Sequence, residues 1–167
     1  REHWVTGVPT CGHPIVTEGL LVSIQPKDPK DMVRHYARAG YKTAPIPTVV
    51  LVNEGTASCA EIMAGALKDH QRAVVMGSKT YGKGSVQNIL DLEDGNSVLK
   101  LTVATYWRPS GKNIHRFKDA KDTDEWGVSP DKDLEVKLPS AEHFAWMLGR
   151  RDRDLLVQPP PPPGCPG

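Results

Sequence analysis

The sequence has no apolar run approaching the ~20 residues that cross a membrane as a helix. It has no charge excess either. Lys and Arg number 21 against 20 Asp and Glu, and a net charge of +1 offers no broad field for nucleic acid. Cysteine is scarce: Cys11, Cys59 and Cys165 share no metal-ligand spacing, and an odd count argues against a disulfide framework. A Cys11–Cys165 bridge is the one pairing to weigh, and it is disfavoured. No internal repeat is visible. The chain starts at Arg1 without the basic, apolar and small-residue regions of a signal peptide, so it reads as a piece of something longer. What is present, 38% apolar and 25% charged residues in a chain of 167, suits one globular domain with a real core.

Three stretches divide the chain. Residues 1–18, with Pro9, Gly12 and Pro14, read as an irregular segment. Residues 19–157 read as the domain. Residues 158–167 hold five consecutive prolines and cannot pack as a core, so an extended or disordered tail is expected. Inside the domain, Leu20–Ile24 is a strand candidate, and Val33–Tyr36 a weaker one. Thr48-Val49-Val50-Leu51-Val52 is a β-branched run that suits a strand buried on both faces. Ile62, Met63, Ala66 and Leu67 recur at helical spacing within Ser58–His70. Ala73–Met76 is a further short buried strand. Strand, helix, strand makes a βαβ unit with a parallel pair. Ser85–Leu92 and Ser97–Tyr106 flank Glu93-Asp94-Gly95-Asn96, a strong hairpin signal. Residues 107–130 read as an ordered loop, Leu134–Leu138 as a last short strand, and a helix starts at Ser140 with Phe144, Met147 and Leu148 on its apolar face.

Two blocks carry candidate chemistry. The first is Asn53-Glu54-Gly55-Thr56-Ala57-Ser58-Cys59-Ala60-Glu61. Ser58 opens the helix, and Ser58 to Glu61 is also a capping box, which needs no chemistry. The catalytic reading uses the same place differently. An oxyanion formed when Ser58 attacks a carbonyl is held by the Cys59 amide at the helix N-terminus, and Gly55, Ala57 and Ala60 leave room for a substrate backbone. Cys59 is a rival nucleophile, but no histidine is tied to it, since His70 lies at the other helix end. A small buried cysteine beside the site is the expectation.

The second block is Lys79-Thr80-Tyr81-Gly82-Lys83-Gly84-Ser85-Val86-Gln87. Gly77-x-x-x-x-Gly82-Lys83 mimics a phosphate-binding loop, but Gly84 stands where Ser or Thr must follow, and a strand succeeds it where a helix is needed. A lysine that serves as a base must be neutral, which requires burial. Tyr81 and Val86 are expected to supply that cover. Residues 83, 85 and 87 share one face of an extended segment, so Gln87 can orient the amine without adding charge. The plain alternative for Lys83 is a solvated surface lysine.

Together these blocks closely resemble the carboxyl-terminal processing peptidases, or tail-specific proteases, with a Ser/Lys dyad. The resemblance runs from about Gly19 to Leu138. It includes Val49–Ser58, Glu61-Ile62, Asp69-His70, Lys79–Gln87, Pro109-Ser110-Gly111 and Gly127-Val128-Ser129-Pro130-Asp131. It implies Ser58 as nucleophile, Lys83 as base 25 positions later, and Gln87 as support. It implies an α/β core of the crotonase/Clp-protease kind, present here in part as the βαβ unit followed by the hairpin. It also implies a protein or peptide substrate, no cofactor and a cell-envelope or periplasmic location. The chain departs from the family at Cys59-Ala60, and it lacks the family's PDZ module and an upstream oxyanion segment. The competing expectation is a truncated peptidase-fold binding module with a proline-rich tail. An acyl-CoA enzyme of the same broad fold would not need Lys83 and Gln87.

Overall fold

The structure, a computed structural model, describes residues 15–38, 46–121 and 123–154. Cys11, Cys165 and the proline tail lie outside the described residues. The chain divides into two units, Arg1–Val136 and Lys137–Gly167.

The first unit holds strands β1 (Leu20–Pro26), β2 (Val33–Tyr36), β3 (Val49–Val52), β4 (Val74–Gly77), β5 (Ser85–Leu92) and β6 (Ser97–Trp107), with helix α1 (Cys59–Asp69) between β3 and β4. The expected parallel pair is present: Val49 to Val52 register against Val74 to Gly77. The expected hairpin is present too, β5 against β6, in an antiparallel sheet of order β2-β1-β6-β5. Asp94 at φ 51 and Gly95 at φ 92 make the tight reversal that the Asp-Gly step predicts. The last short strand contracts to a single bridge, Gly77 to Glu135.

Helix α1 lies between the two sheets. Ala66 and Leu67 pack with Val16 and Leu21, Ala64 with Val52, Val75 and Val128, and Ile62 with Val22 and Ile114. Burying Leu67 or Ile62 contributes roughly 1.5–3 kcal/mol each. The expectation of a β3 strand covered on both faces is not met among the described residues. Val52 is buried, but Val49 and Leu51 are 57% and 75% exposed. Only the α1 side of the β3–β4 pair has apolar partners there. Val74 in β4 is likewise exposed.

Two polar clusters lock this core. Asp69 at the end of α1 accepts from Arg108 Nε at 3.2 Å and from Arg108 Nη2, and takes the Ser110 N–H at 3.1 Å. Arg108 lies across Gly65, where a Cβ would stand 3.1 Å from its Cγ and Nε. The pair is buried, with side chains 8% and 9% exposed. Removing one member strands the other, so Asp69→Ala should cost about 3–5 kcal/mol. Asp69→Ala with Arg108→Met should recover much of that. Urea unfolding of the four proteins measures both.

The second cluster ties α1 and β4 to the loop after Val128. Asp131 accepts the Val75 N–H at 2.7 Å and pairs with Lys68 at 2.9 Å. Burial pushes the Asp131 carboxyl up, but the Val75 N–H and the Lys68 ammonium outweigh it and hold the carboxyl below its ordinary value. A carboxylate depressed in the folded state stabilises the fold above its unfolded pKa of about 4, and that contribution fades as pH falls through the folded value. Asp131→Asn should therefore flatten the fall of Tm below about pH 4. An unchanged acid limb in thermal melts would show that Asp131 does not set it.

The second unit contains α2 (Ser140–Asp154), starting at Ser140 as expected. Phe144 and Met147 on its apolar face are exposed.

Candidate active site

The turn from β3 into α1 is built by its own sequence. Asn53 Oδ1 accepts the Gly55 N–H at 3.0 Å, and the Asn53 N–H reaches Thr56 Oγ1 at 3.0 Å. The chain then enters the helix through Ser58 at φ 58, ψ −124, a region that non-glycine residues avoid. Ser58 is thus a strained residue at the junction of a strand end and a helix start. The capping box is present, but its halves are unequal. Glu61 Oε2 accepts the Ser58 N–H at 2.9 Å, whereas the Ser58 hydroxyl faces the Glu61 N–H without closing a regular hydrogen bond. Ser58 is half-buried, and Gly55 and Cys59 beside it are exposed.

Glu61 does more than cap. It is 0% exposed, and its carboxylate accepts four donors. Oε1 takes the Thr80 hydroxyl at 2.6 Å and the Gly82 N–H at 2.6 Å. Oε2 takes the Ser58 N–H at 2.9 Å and the Lys83 N–H at 2.8 Å. An ionised carboxylate has about four acceptor sites, so this set uses all of them. The Ser58 and Lys83 nitrogens share one oxygen, which puts them within about 6 Å of each other. A second tie, Tyr81 N–H to the Thr56 carbonyl at 2.9 Å, joins the same two segments. Thr80 completes the cluster by accepting the Val128 N–H at 2.8 Å. The two sequence blocks are thus brought together through their backbones by one buried acid.

The glycines around Lys83 have a packing role. A Cβ on Gly84 would meet His115 N at 2.4 Å and Ile114 C at 2.7 Å. A Cβ on Gly82, which sits at φ +87, would meet Trp126 Cδ1 at 2.5 Å. The segment 114–116 closes against the strip, with the Arg116 N–H on the Gly82 carbonyl at 2.9 Å. The resemblance to a phosphate loop therefore arises from close chain packing, not from a phosphate cradle.

Two expectations about side chains need correction, the apolar cover over Lys83 and the burial of Cys59. Lys83 is exposed, and Tyr81, expected to cover it, is 61% exposed. Among the described residues no apolar wall closes over the amine. Gln87 lies on β5, exposed, with its amide 3.4 Å from Thr102 Oγ1 on β6, at the long end of a hydrogen bond. Val86 pairs with Ala104 but Gln87 with Thr102, so Val103 is the extra residue of a bulge in β6, a device that adds local twist. Cys59 is an exposed free thiol, not a buried one, because the first turn of α1 faces outward there. It does lie near Tyr106, whose hydroxyl is pushed above its ordinary pKa by burial and then by the Cys59 charge. His70 is tied elsewhere, with Nε2 2.6 Å from the Leu20 carbonyl and its ring against Gly19. Cys59 therefore has no base from that residue.

Sequence reasoning weighed Glu61 only as a cap and missed Thr80. The available signal was an acid next to Ile62 on the buried side of a helix, where a charge must find several donors.

The model of peptidase family S41 matches residues 6–134. The carboxy-terminal-processing protease of Bartonella bacilliformis is 40% identical over 124 residues, 74% of this chain and 26% of that protein. The chloroplastic C-terminal processing peptidase of Tetradesmus obliquus is 47% identical over 92 residues, 55% of this chain and 18% of that protein. Among solved structures, a photosystem II D1 C-terminal processing protease matches with TM-score 0.65 and 36% identity, over 86% of this chain and 35% of that one. The mixed α/β core expected from the sequence is the fold found. The chain spans no more than 26% of the length of these two curated relatives.

Proposed function

The chain belongs to peptidase family S41, and from that premise we propose that it carries the nucleophile and base of a serine endopeptidase that cuts proteins or peptides toward their C-termini. The observation that carries the reading is the strained Ser58 turn, with the Ser58 and Lys83 amides fixed on one Glu61 oxygen. Ser58 Oγ attacks the scissile carbonyl, and the neutral Lys83 amine takes its proton and delivers it to the leaving amine. Water then hydrolyses the acyl-enzyme by the same route. The Cys59 N–H, leading a helix whose first N–H groups lack internal partners, donates to the oxyanion, and Gln87 orients Lys83. Gly55 and Ala57 leave space for the substrate backbone. The cell-envelope location goes with this proposal.

The exposure of Lys83 favours a second reading, a peptidase-fold binding module that forms no covalent bond with its partner. Covalent labelling separates the two. A fluorophosphonate probe should modify Ser58, located by peptide mass spectrometry, and the binding module predicts no adduct.

A further inference from the structure

Glu61 is one hold on the strip that carries Lys83, and Trp126 is another. Trp126 is 8% exposed and is the one buried aromatic ring among the described residues. It joins none of the three apolar clusters of the core. A large ring belongs in a core, so its packing elsewhere calls for a reason. Its partners are two cations and a glycine. The Lys79 ammonium stands 3.2 Å from the ring centroid and the Arg116 guanidinium 4.5 Å. The ring's Cδ1 would lie 2.5 Å from a Cβ on Gly82. Lys79 and Gly82 both belong to the strip that leads into Lys83. Lys79 also donates to the Asp124 carbonyl at 2.8 Å, just before Trp126 in the chain. Glu125, next to the ring, pairs with Lys112 at 2.6 Å, and the Gly127 N–H reaches the Ile114 carbonyl at 2.9 Å. The ring is therefore anchored both by its own segment and by the strip.

Gly82 is where this grip matters. It sits at φ +87. A glycine occupies positive and negative φ about equally well, so nothing in the residue itself keeps it there. The hold comes from its neighbours. Glu61 accepts its N–H at 2.6 Å, the Arg116 N–H donates to its carbonyl at 2.9 Å, and Trp126 packs against it. Lys83 follows directly and is exposed, so the packing of its own side chain does not aim the amine. The aim is inherited from the backbone turn at Gly82.

We infer that Trp126 is a positioning residue: its ring, held by Lys79 and Arg116, fixes the Gly82 turn and thereby sets where the Lys83 amine stands relative to Ser58. The purpose of this placement rests on the peptidase reading, but the placement itself is measured without it.

In NMR spectra of the full chain, the Trp126 ring current should displace a Gly82 Hα signal, and the Gly82 and Lys83 N–H groups should exchange slowly with solvent. Trp126→Leu should remove the displacement and speed both exchanges about tenfold or more, whereas Trp126→Phe should retain most of the protection. In fluorophosphonate labelling of Ser58, Trp126→Leu should lower kinact about tenfold or more with KI changed less than about twofold, and Trp126→Phe should stay within about threefold of the parent. Lys79→Met keeps the ring and removes the cation above it. It should lower kinact about threefold, and it carries the test if Trp126→Leu does not fold. Val16→Ala, in a different part of the core, should lower the urea midpoint but not kinact. Slow Lys83 exchange in Trp126→Leu, kinact unchanged in both Trp126→Leu and Lys79→Met, or an equal loss of kinact in Val16→Ala overturns the inference. A parent chain that takes no label, with Lys83 exchange still dependent on Trp126, would instead overturn the peptidase reading and leave the placement standing.

Discussion

Ser58→Ala should abolish fluorophosphonate labelling and lower peptide cleavage by at least about 10³-fold. Lys83→Ala should do nearly as much, and the double substitution should be no worse than either alone. The reason is that nucleophile and base act as one unit. A hydroxyl without a base is a poor nucleophile, and a base without a nucleophile has no proton to move. Cys59→Ser should leave labelling in place, since the exposed thiol has no histidine from His70 to activate it. Labelling that survives Ser58→Ala but not Cys59→Ser would move the nucleophile one residue along. Cleavage that survives both Ser58→Ala and Lys83→Ala would remove the dyad.

Local signals carried most of the secondary structure because each was a complete pattern within a short window. Asp94-Gly95 between alternating runs specified the β5–β6 hairpin, and Ile62, Met63, Ala66 and Leu67 specified the inner face of α1. The β-branched run at Val49–Val52 specifies a strand, as found, but among the described residues only one of its faces is covered. Composition reports what a strand is suited to, not what lies against it. Around the site the limits were of the same kind. Gly82 and Gly84 suggested a tight backbone, but the partner that demands it, segment 114–116, is some thirty residues away in sequence, and nothing local announces that approach. The Arg108–Asp69 pair was invisible for the same reason, being a contact across 39 residues. Glu61 was the closest to legible. Its sequence context fits a cap, and the cap bond to Ser58 is there. Its remaining three bonds come from Thr80, Gly82 and Lys83, which only the folded βαβ unit brings to it.

That difference gives Glu61 the largest expected effect on stability. A capping box tolerates glutamine as well as glutamate at this place, so a mere cap predicts that Glu61→Gln costs under about 1 kcal/mol. The four-donor site predicts otherwise. If the glutamine NH₂ replaces Oε2, it faces both the Ser58 and Lys83 N–H groups. If it replaces Oε1, the Thr80 hydroxyl can turn to accept, but the Gly82 N–H still points at a donor. Every orientation leaves a buried donor unpaired, so Glu61→Gln should cost about 3 kcal/mol. Glu61→Ala orphans all four donors and should cost roughly 5 kcal/mol or more, enough to unfold a domain of ordinary stability. Glu61→Gln is the informative variant, because it should remain folded at low temperature. In that protein the Lys83 strip loses its shared anchor with Ser58, so labelling of Ser58 should fall while the near-ultraviolet circular dichroism stays native. A midpoint in urea within about 1 kcal/mol of the parent, with labelling unchanged, would return Glu61 to the role of a helix cap.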